Sequence, residues 1–393
     1  MTSAQPVEHP TTRSDPFDPH DGLSELRADR PLARMHHPDG ALGWLVTGYD
    51  LVRELLLDQR FSSRIDLLRG PAEQNRQEVE APPGLFSVLG PPEHTWYRRK
   101  LSSAFAHRRM RQLEPVVEEI VTARLDAMAE KGGPVDLVET FASPIAFQVI
   151  RDLLGVDLDR ASVRATTEAL LMLDVDPEEA GQAWSRLWEE LHERVRGKRT
   201  DPGEDLVSAL IADAELSDEE ITTMSAMLIT GGDDTTANML ALATYALLAH
   251  PAELAALREN PSAITTAVEE LLRYLTINQY GTTRTALEDV EFHGETIRQG
   301  ELVTLSLSAA NRDPGQFPDP DQLNLLRPAN GHLAFGHGIH HCLGAQLARI
   351  ELRAGLSGLL ERFPGLRLAV PAQEIPLRSA AVNYGVHHLP VDW

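Results

Sequence analysis

The chain has almost no cysteine: Cys342 is the single one in 393 residues. No intramolecular disulfide can therefore staple the fold, which suits a reducing compartment, and any chemistry at Cys342 is that of a thiol or thiolate. Basic residues are in deficit, with 36 Lys and Arg against 59 Asp and Glu and a formal charge of -23. Such a surface repels a phosphate backbone and argues against nucleic-acid binding. Long apolar runs are missing too. None approaches the roughly 20 residues needed to cross a bilayer, and the opening MTSAQPVEHPTTRSDPFDPH lacks the basic and apolar regions of a signal peptide. The expected location is the cytoplasm, without membrane contact. No internal repeat, low-complexity tract or obvious linker breaks the chain, and strand signals are few.

What is present is ample apolar content, 42% of the residues, enough for a large core in one big domain or two moderate ones. Residues 1–20, rich in Pro, Asp, His and Thr without apolar period, read as a flexible arm, leaving 21–393 as a single domain. Apolar residues recur at three- and four-residue spacing over 113–131, 178–199 and 206–214, the mark of amphipathic helices. Ser217-Asp218-Glu219-Glu220 reads as a capping box, and the helical pattern behind it runs to about His250, unusually long for a globular helix. A further helix from about Pro261 carries Glu269 to Tyr274. VEFHGETIRQGELVTLSL, residues 290–307, alternates around two glycine turns as a hairpin, and LRLAV and VHHLPVDW near the end are strand-like. The fold class is mainly α with small β-sheets.

The cysteine sits in AFGHGIHHCLGAQLARIEL, residues 334–352, just ahead of an apolar-periodic helix. A thiolate there is stabilised by backbone N–H groups and by the positive end of the helix, so it can bind a metal as an anion. Gly336, Gly338 and Gly344 suit tight turns and close approach of backbone to a flat ligand. A lone cysteine is ordinarily a small core hydrophobe; here the spacing outweighs that reading. Zinc at His340, His341 and Cys342 is disfavoured, because adjacent side chains cannot easily surround one ion. Inside the long helix, LITGGDDTT places Gly231 and Gly232 where each costs roughly 1 kcal/mol against Ala, a cost that a ligand groove would compensate. The Thr235 hydroxyl can reach the Gly231 carbonyl four residues back, and Asp234 sets an acid beside that alcohol.

FGHGIHHCLG matches the haem-binding pattern of the cytochrome P-450 family at every defined position: Phe, Gly, any, Gly, any, His or Arg, any, Cys, any, Gly. From about Pro31 to Trp393 the chain resembles the soluble bacterial members, notably those of actinobacterial secondary metabolism and antibiotic biosynthesis. The resemblance implies the triangular fold of that family, with a long central helix over haem b and Cys342 as the thiolate iron ligand. It places Phe335, Gly231 and Gly344 against the cofactor and makes Asp234 and Thr235 the pair that delivers protons during dioxygen activation. His94, Arg98, Arg284 and His340 fit as partners of the haem propionates, since buried carboxylates need charge-assisted donors; Trp96 departs from the polar residue common in that helix. Glu270 and Arg273, in Glu270-Leu271-Leu272-Arg273 about 70 residues before Cys342, match a structural brace whose third member is Arg327, although Asn324 stands where an acid is usual. The same spacing at Glu73 and Arg76, Glu193 and Arg196, and Glu295 and Arg298 reads as surface pairing.

Function follows from the same resemblance: a monooxygenase inserting one oxygen atom from dioxygen into a C–H bond or alkene. Electrons from NAD(P)H arrive through a ferredoxin reductase and a ferredoxin. The basic island of Arg99, Lys100, Arg108, Arg109 and Arg111 on an acidic protein is the expected ferredoxin dock. By position, Leu85, Met227, Asn278, Gln279, Val382, Asn383 and Tyr384 line the substrate pocket. That mostly apolar lining suits a bulky molecule with a few oxygens, such as a polyketide, macrolide, terpenoid or steroid, taken by a monomer.

Overall fold

The computed structural model describes residues 5–37, 40–67 and 81–393. Helices dominate, with small sheets between them. The amphipathic stretches are the helices His107–Lys131, Pro177–Lys198 and Leu206–Ile211. The first starts earlier than its apolar period, because residues 107–112 are mostly basic and Pro115 lies inside the helix. No single helix among the described residues is long and apolar enough to cross a membrane. Over the span expected to form a single domain, the chain divides into two compact units.

One unit comprises Pro82–Phe86, Tyr97–Val268 and Leu343–Trp393. Its axis is the helix Asp218–Ala249, buried on nearly every face from Ile221 to Leu247, and this continuous burial stabilises so long a helix. The capping box is present: the Ser217 side chain accepts from Glu220 N–H, and Glu220 reaches back to Ser217 N–H. Helices Ser143–Leu154, Pro177–Lys198 and Ala345–Arg362 pack on it. Approach is close at two glycines: a Cβ at Gly232 would stand 3.0 Å from Ile150, and one at Gly355 would stand 3.0 Å from Leu240. The two strand-like C-terminal stretches supply Arg367–Leu368 and Pro390–Asp392, which form a small sheet with Val135–Asp136.

The other unit comprises Met1–Ala81, Ser87–Trp96 and Glu269–Cys342. Its six-stranded sheet runs Val7–Glu8, Leu32–His36, Leu42–Val46, Leu302–Leu305, Thr282–Ala286, Phe61–Ser62, over a core including Trp44, Val46, Phe61, Val303 and Leu305. The expected hairpin over 290–307 is only partly formed. Val290–Phe292 turns at His293-Gly294 onto Glu295–Ile297, but Leu302–Leu305 joins the larger sheet, where Leu42–Val46 and Thr282–Ala286 offer it partners on both edges. The described part of the N-terminal arm makes long-range contacts with the rest of this unit. Val7–Glu8 pairs with Leu32–His36, Phe17 and His20 are buried, and the buried Arg312 donates to the Phe17 carbonyl at 2.9 Å and to Asp18 at 3.1 Å. Such anchoring is polar and long-range, so it leaves no apolar period to read.

A buried ion network organises the same unit. Glu270 and Arg273 are fully buried and paired through two bonds, Nε to Oε2 at 2.7 Å and Nη2 to Oε1 at 2.8 Å. Arg327 adds a third bond to Glu270 at 3.0 Å, and the Asn324 backbone N–H a fourth at 3.1 Å. Asn324 thus serves the network through its backbone, and its own side chain caps Leu326 N–H. Arg273 also donates to the carbonyls of Asn311 and Pro320, and Arg327 to those of Asp319 and Gln322. Among the other pairs of this spacing, Arg298 binds Asp289 rather than Glu295, and Glu73 and Arg76 lie outside the described residues.

Replacing Glu270 with Gln leaves two buried guanidinium groups without a counter-charge, and the expected loss is about 3–5 kcal/mol. Breaking a more exposed pair in Arg353→Ala, whose guanidinium meets Glu114 at 3.4 Å, should cost no more than about 1 kcal/mol. Urea unfolding midpoints of the two variants check the contrast.

Candidate active site

The cysteine loop is shaped by two left-handed residues, Gly336 (φ 69°) and Gly338 (φ 73°). A Cβ at Gly338 would also lie 2.5 Å from the Leu56 carbonyl oxygen, so both conformation and space demand glycine there. These turns bring the chain back on itself: Cys342 N–H donates to the Phe335 carbonyl at 2.9 Å, and Gly336 N–H to Leu333 at 2.8 Å. Gly344 differs from the other two. Its φ is -80°, and a Cβ there would meet no atom within 4 Å, so the fold itself does not require glycine at that position. Beyond it runs the helix Ala345–Arg362.

In the unit that holds Cys342, His94 and His340 come together with ring centroids 4.2 Å apart, and His340 Nε2 lies 2.8 Å from Ser63 Oγ. Arg284 belongs to the same unit, on the strand Thr282–Ala286. It is buried, bonded only to Thr282 Oγ1 and the Thr283 carbonyl, and has no carboxylate partner among the described residues. Burial pushes its guanidinium down to about 10, so it remains a cation at neutral pH. A buried cation without a protein anion is the donor that an anionic ligand group needs. This donor set fits the propionates of a haem. Arg98 is half-buried one turn after His94 on the helix Glu93–Leu101.

In the unit built on the long helix, Thr235 Oγ1 donates to the Gly231 carbonyl at 2.7 Å, and a Cβ at Gly231 would meet nothing within 4 Å. Asp234 is buried, and both its oxygens accept: from Arg378 Nη1 at 2.7 Å and from Asn383 Nδ2 at 3.2 Å. Sequence reasoning missed Arg378, because nothing local links it to a partner 144 residues away. It also missed two buried acids, Asp233 and Glu351. Burial, and then the charge of Asp234, pushes Asp233 up to about 7; burial, and then the charge of Asp233, raises Glu351 well above the ordinary glutamate range.

Two residues expected to line a substrate pocket are held by protein groups. Asn383 is bonded to Asp234, and Gln279 is buried with its amide oxygen 3.2 Å from His20 Nε2. Tyr384 is buried, whereas Leu85, Met227, Asn278 and Val382 keep partial exposure. The basic island needs one correction. Arg99, Arg108, Arg109 and Arg111 are exposed, but Lys100 is sequestered by Asp213 at 2.8 Å and by Glu215, carboxylates more than a hundred residues away in sequence that its neighbours do not reveal.

The family model described as cytochrome P450 matches residues 176–378. The chain is similar to cytochrome P450 105C1 of a Streptomyces species, at 46% identity over all of both chains. It is also similar to a pentalenic acid synthase of Streptomyces avermitilis, at 41% identity over 99% of this chain and 98% of that one. A crystal structure of CYP105P1 in complex with filipin I superposes with a TM-score of 0.95 at 42% identity, covering 99% of each chain.

The loop geometry makes a paired prediction. Gly338→Ala combines a positive φ with a backbone clash and should lower the melting temperature by several degrees, as a strained non-glycine residue costs on the order of 1–3 kcal/mol. Gly344→Ala should leave the melting temperature of haem-free protein nearly unchanged, within about 0.5 kcal/mol. Thermal melts of both variants decide between these outcomes.

Proposed function

The chain belongs to the cytochrome P450 family and is a monooxygenase, and from that premise we propose that it inserts one oxygen atom from dioxygen into a C–H bond or alkene of a bulky, mostly apolar natural product in secondary metabolism. A polyketide, macrolide, terpenoid or steroid fits. The observation that carries the site reading is the glycine-turned Cys342 loop in one unit with a buried Arg284 that has no carboxylate partner among the described residues. The natural-product reading is supported by relatives named as a pentalenic acid synthase and as a P450 crystallised with filipin I.

Cys342 serves as the thiolate ligand, while Arg284, His94, Arg98 and His340 hold the propionates. When bound, the thiolate-ligated haem supplies dioxygen activation, the sulfur pushing electron density that favours O–O cleavage. Thr235 holds a hydroxyl over the open face at Gly231, donating its own proton to the Gly231 carbonyl until a better acceptor is present. Asp234 sits next to it in sequence, oriented by Arg378 and Asn383. Leu85, Met227, Asn278 and Val382 remain the candidate substrate contacts. NAD(P)H electrons arrive through a reductase and an acidic ferredoxin that docks on Arg99, Arg108, Arg109 and Arg111, without Lys100.

Turnover with labelled dioxygen, a ferredoxin system and a natural-product panel tests this reading: one labelled oxygen atom should appear in the product. Thr235→Ala should cut product per NADPH by at least about tenfold while oxidation of NADPH continues, since a general acid-base partner is worth roughly 10²–10⁴-fold. Charge reversal at Arg109 and Arg111 should slow ferredoxin-driven turnover, most strongly at low salt, and spare peroxide-driven turnover; equal loss in both assays would refute the docking surface.

A further inference from the structure

In the unit built on the long helix, a pocket of about 330 Å³ is lined by the helices His107–Lys131 and Ser143–Leu154 and by the first residue of the helix Arg160–Leu171. The buried part of its lining is apolar, made by Met128, Pro144 and Phe147. The rest carries Arg124, Lys131, Arg151 and Arg160, four cations around one cavity on a chain of net charge -23. The single acid of the lining, Glu139, is already met by Arg160 at 3.7 Å and by Arg164, which is not part of the lining. Arg124 and Lys131 have no carboxylate partner among the described residues; Arg124 gives one N–H to Gln148 at 2.8 Å, and its buried Nε has no acceptor. Cations elsewhere on the surface are quenched: Lys100, Lys198 and Arg199 each meet an aspartate, at 2.8, 2.6 and 2.6 Å. Glu139 and Thr140 reach the pocket from a π turn, Val138–Ala142, that leads into the helix Ser143–Leu154. Such widened turns are rare and concentrate at functional sites.

We propose that this pocket binds a small organic phosphate monoester, its phosphoryl group held by the four cations and its apolar body laid against Met128 and Phe147. The donors come from three helices, so an anion with three terminal oxygens can use them where a carboxylate, with two, would leave some unmet. Guanidinium groups match phosphate oxygens through paired N–H donors, and Arg124 has such donors to spare. Arg151 stands over the Phe147 ring at 5.8 Å and meets Asp152 at 2.8 Å, which joins the cationic and apolar parts of the lining. The volume lies at the lower end of small-molecule pockets, and the acidic surface beyond repels a polyanion, so the occupant is a small ester. The site is separate from the basic island assigned to ferredoxin: Arg111 and Lys131 stand towards opposite ends of one helix, about 30 Å apart along its axis. The inference is independent of the monooxygenase reading.

Isothermal titration calorimetry of the haem-loaded enzyme tests the site, with phenyl phosphate as the probe and with inorganic phosphate and phenol beside it. Phenyl phosphate should bind at one site, without moving the Soret band, and more weakly as salt is added. Inorganic phosphate should bind more weakly, for want of an apolar body, and phenol should not compete with phenyl phosphate. Arg124→Gln and Lys131→Gln should each weaken phenyl phosphate binding by about tenfold or more, the loss expected of one charge-assisted contact. Lys131 is exposed, so its substitution should leave the melting temperature in phosphate-free buffer unchanged, which keeps the test decisive if Arg124→Gln fails to fold. No heat from phenyl phosphate overturns the proposal. So does binding that survives Lys131→Gln at full strength, or that shifts the Soret band and therefore reports the haem site. Inorganic phosphate or phenol binding as tightly as phenyl phosphate at this site would overturn the phosphate ester as its occupant.

Discussion

Glu270 is a fully buried carboxylate, and the approach to the cysteine depends on how its charge is met. Between Asn311 and Leu333 the chain has almost no regular secondary structure, so its backbone carbonyls have no ladder to satisfy them. Arg273 and Arg327 satisfy them instead, since each neutralises Glu270 and each spends its remaining N–H groups on carbonyls of this irregular segment. One ion triad thus replaces the hydrogen bonds of a missing sheet. At the end of the segment, the Asn311 side chain accepts from Leu333 N–H at 2.6 Å, which passes the restraint into the turn at Gly336.

Elsewhere the buried charges divide into those met by protein and those left for something else. Arg312 is met by Asp18, Asp321 and two carbonyls, and Arg378 by Asp234. Arg284 has no carboxylate, and Asp233 and Glu351 have no cation in direct contact among the described residues. Desolvating an uncompensated charge costs several kcal/mol, so a protein of ordinary stability keeps few of them. In this chain they are Arg284, which remains a cation despite its burial, and two acids whose hold on their protons burial strengthens.

How much of this was legible in the sequence followed range of interaction. The cysteine loop, the capping box at Ser217 and the long helix announce themselves because spacing along a few residues dictates them. The bond from Thr235 to Gly231 spans a single helical turn and is equally local. Arg378 and Glu351 were invisible, since each acts on the long helix across more than a hundred residues and neither sits in a motif. Lys100 was misread for the same reason: its neighbours are basic, but its partners, Asp213 and Glu215, arrive through the fold. The contacts of the N-terminal arm are equally hidden, because backbone carbonyls bonded to a distant arginine leave no compositional trace.

The central claim is that Cys342 binds haem iron as a thiolate, and the carbon monoxide difference spectrum of the dithionite-reduced protein tests it most directly, beside that of Cys342→Ser. The account predicts a strongly red-shifted Soret band in the parent protein that disappears in the variant. Absence of haem, or a histidine-type Soret band that the substitution leaves unchanged, would contradict it.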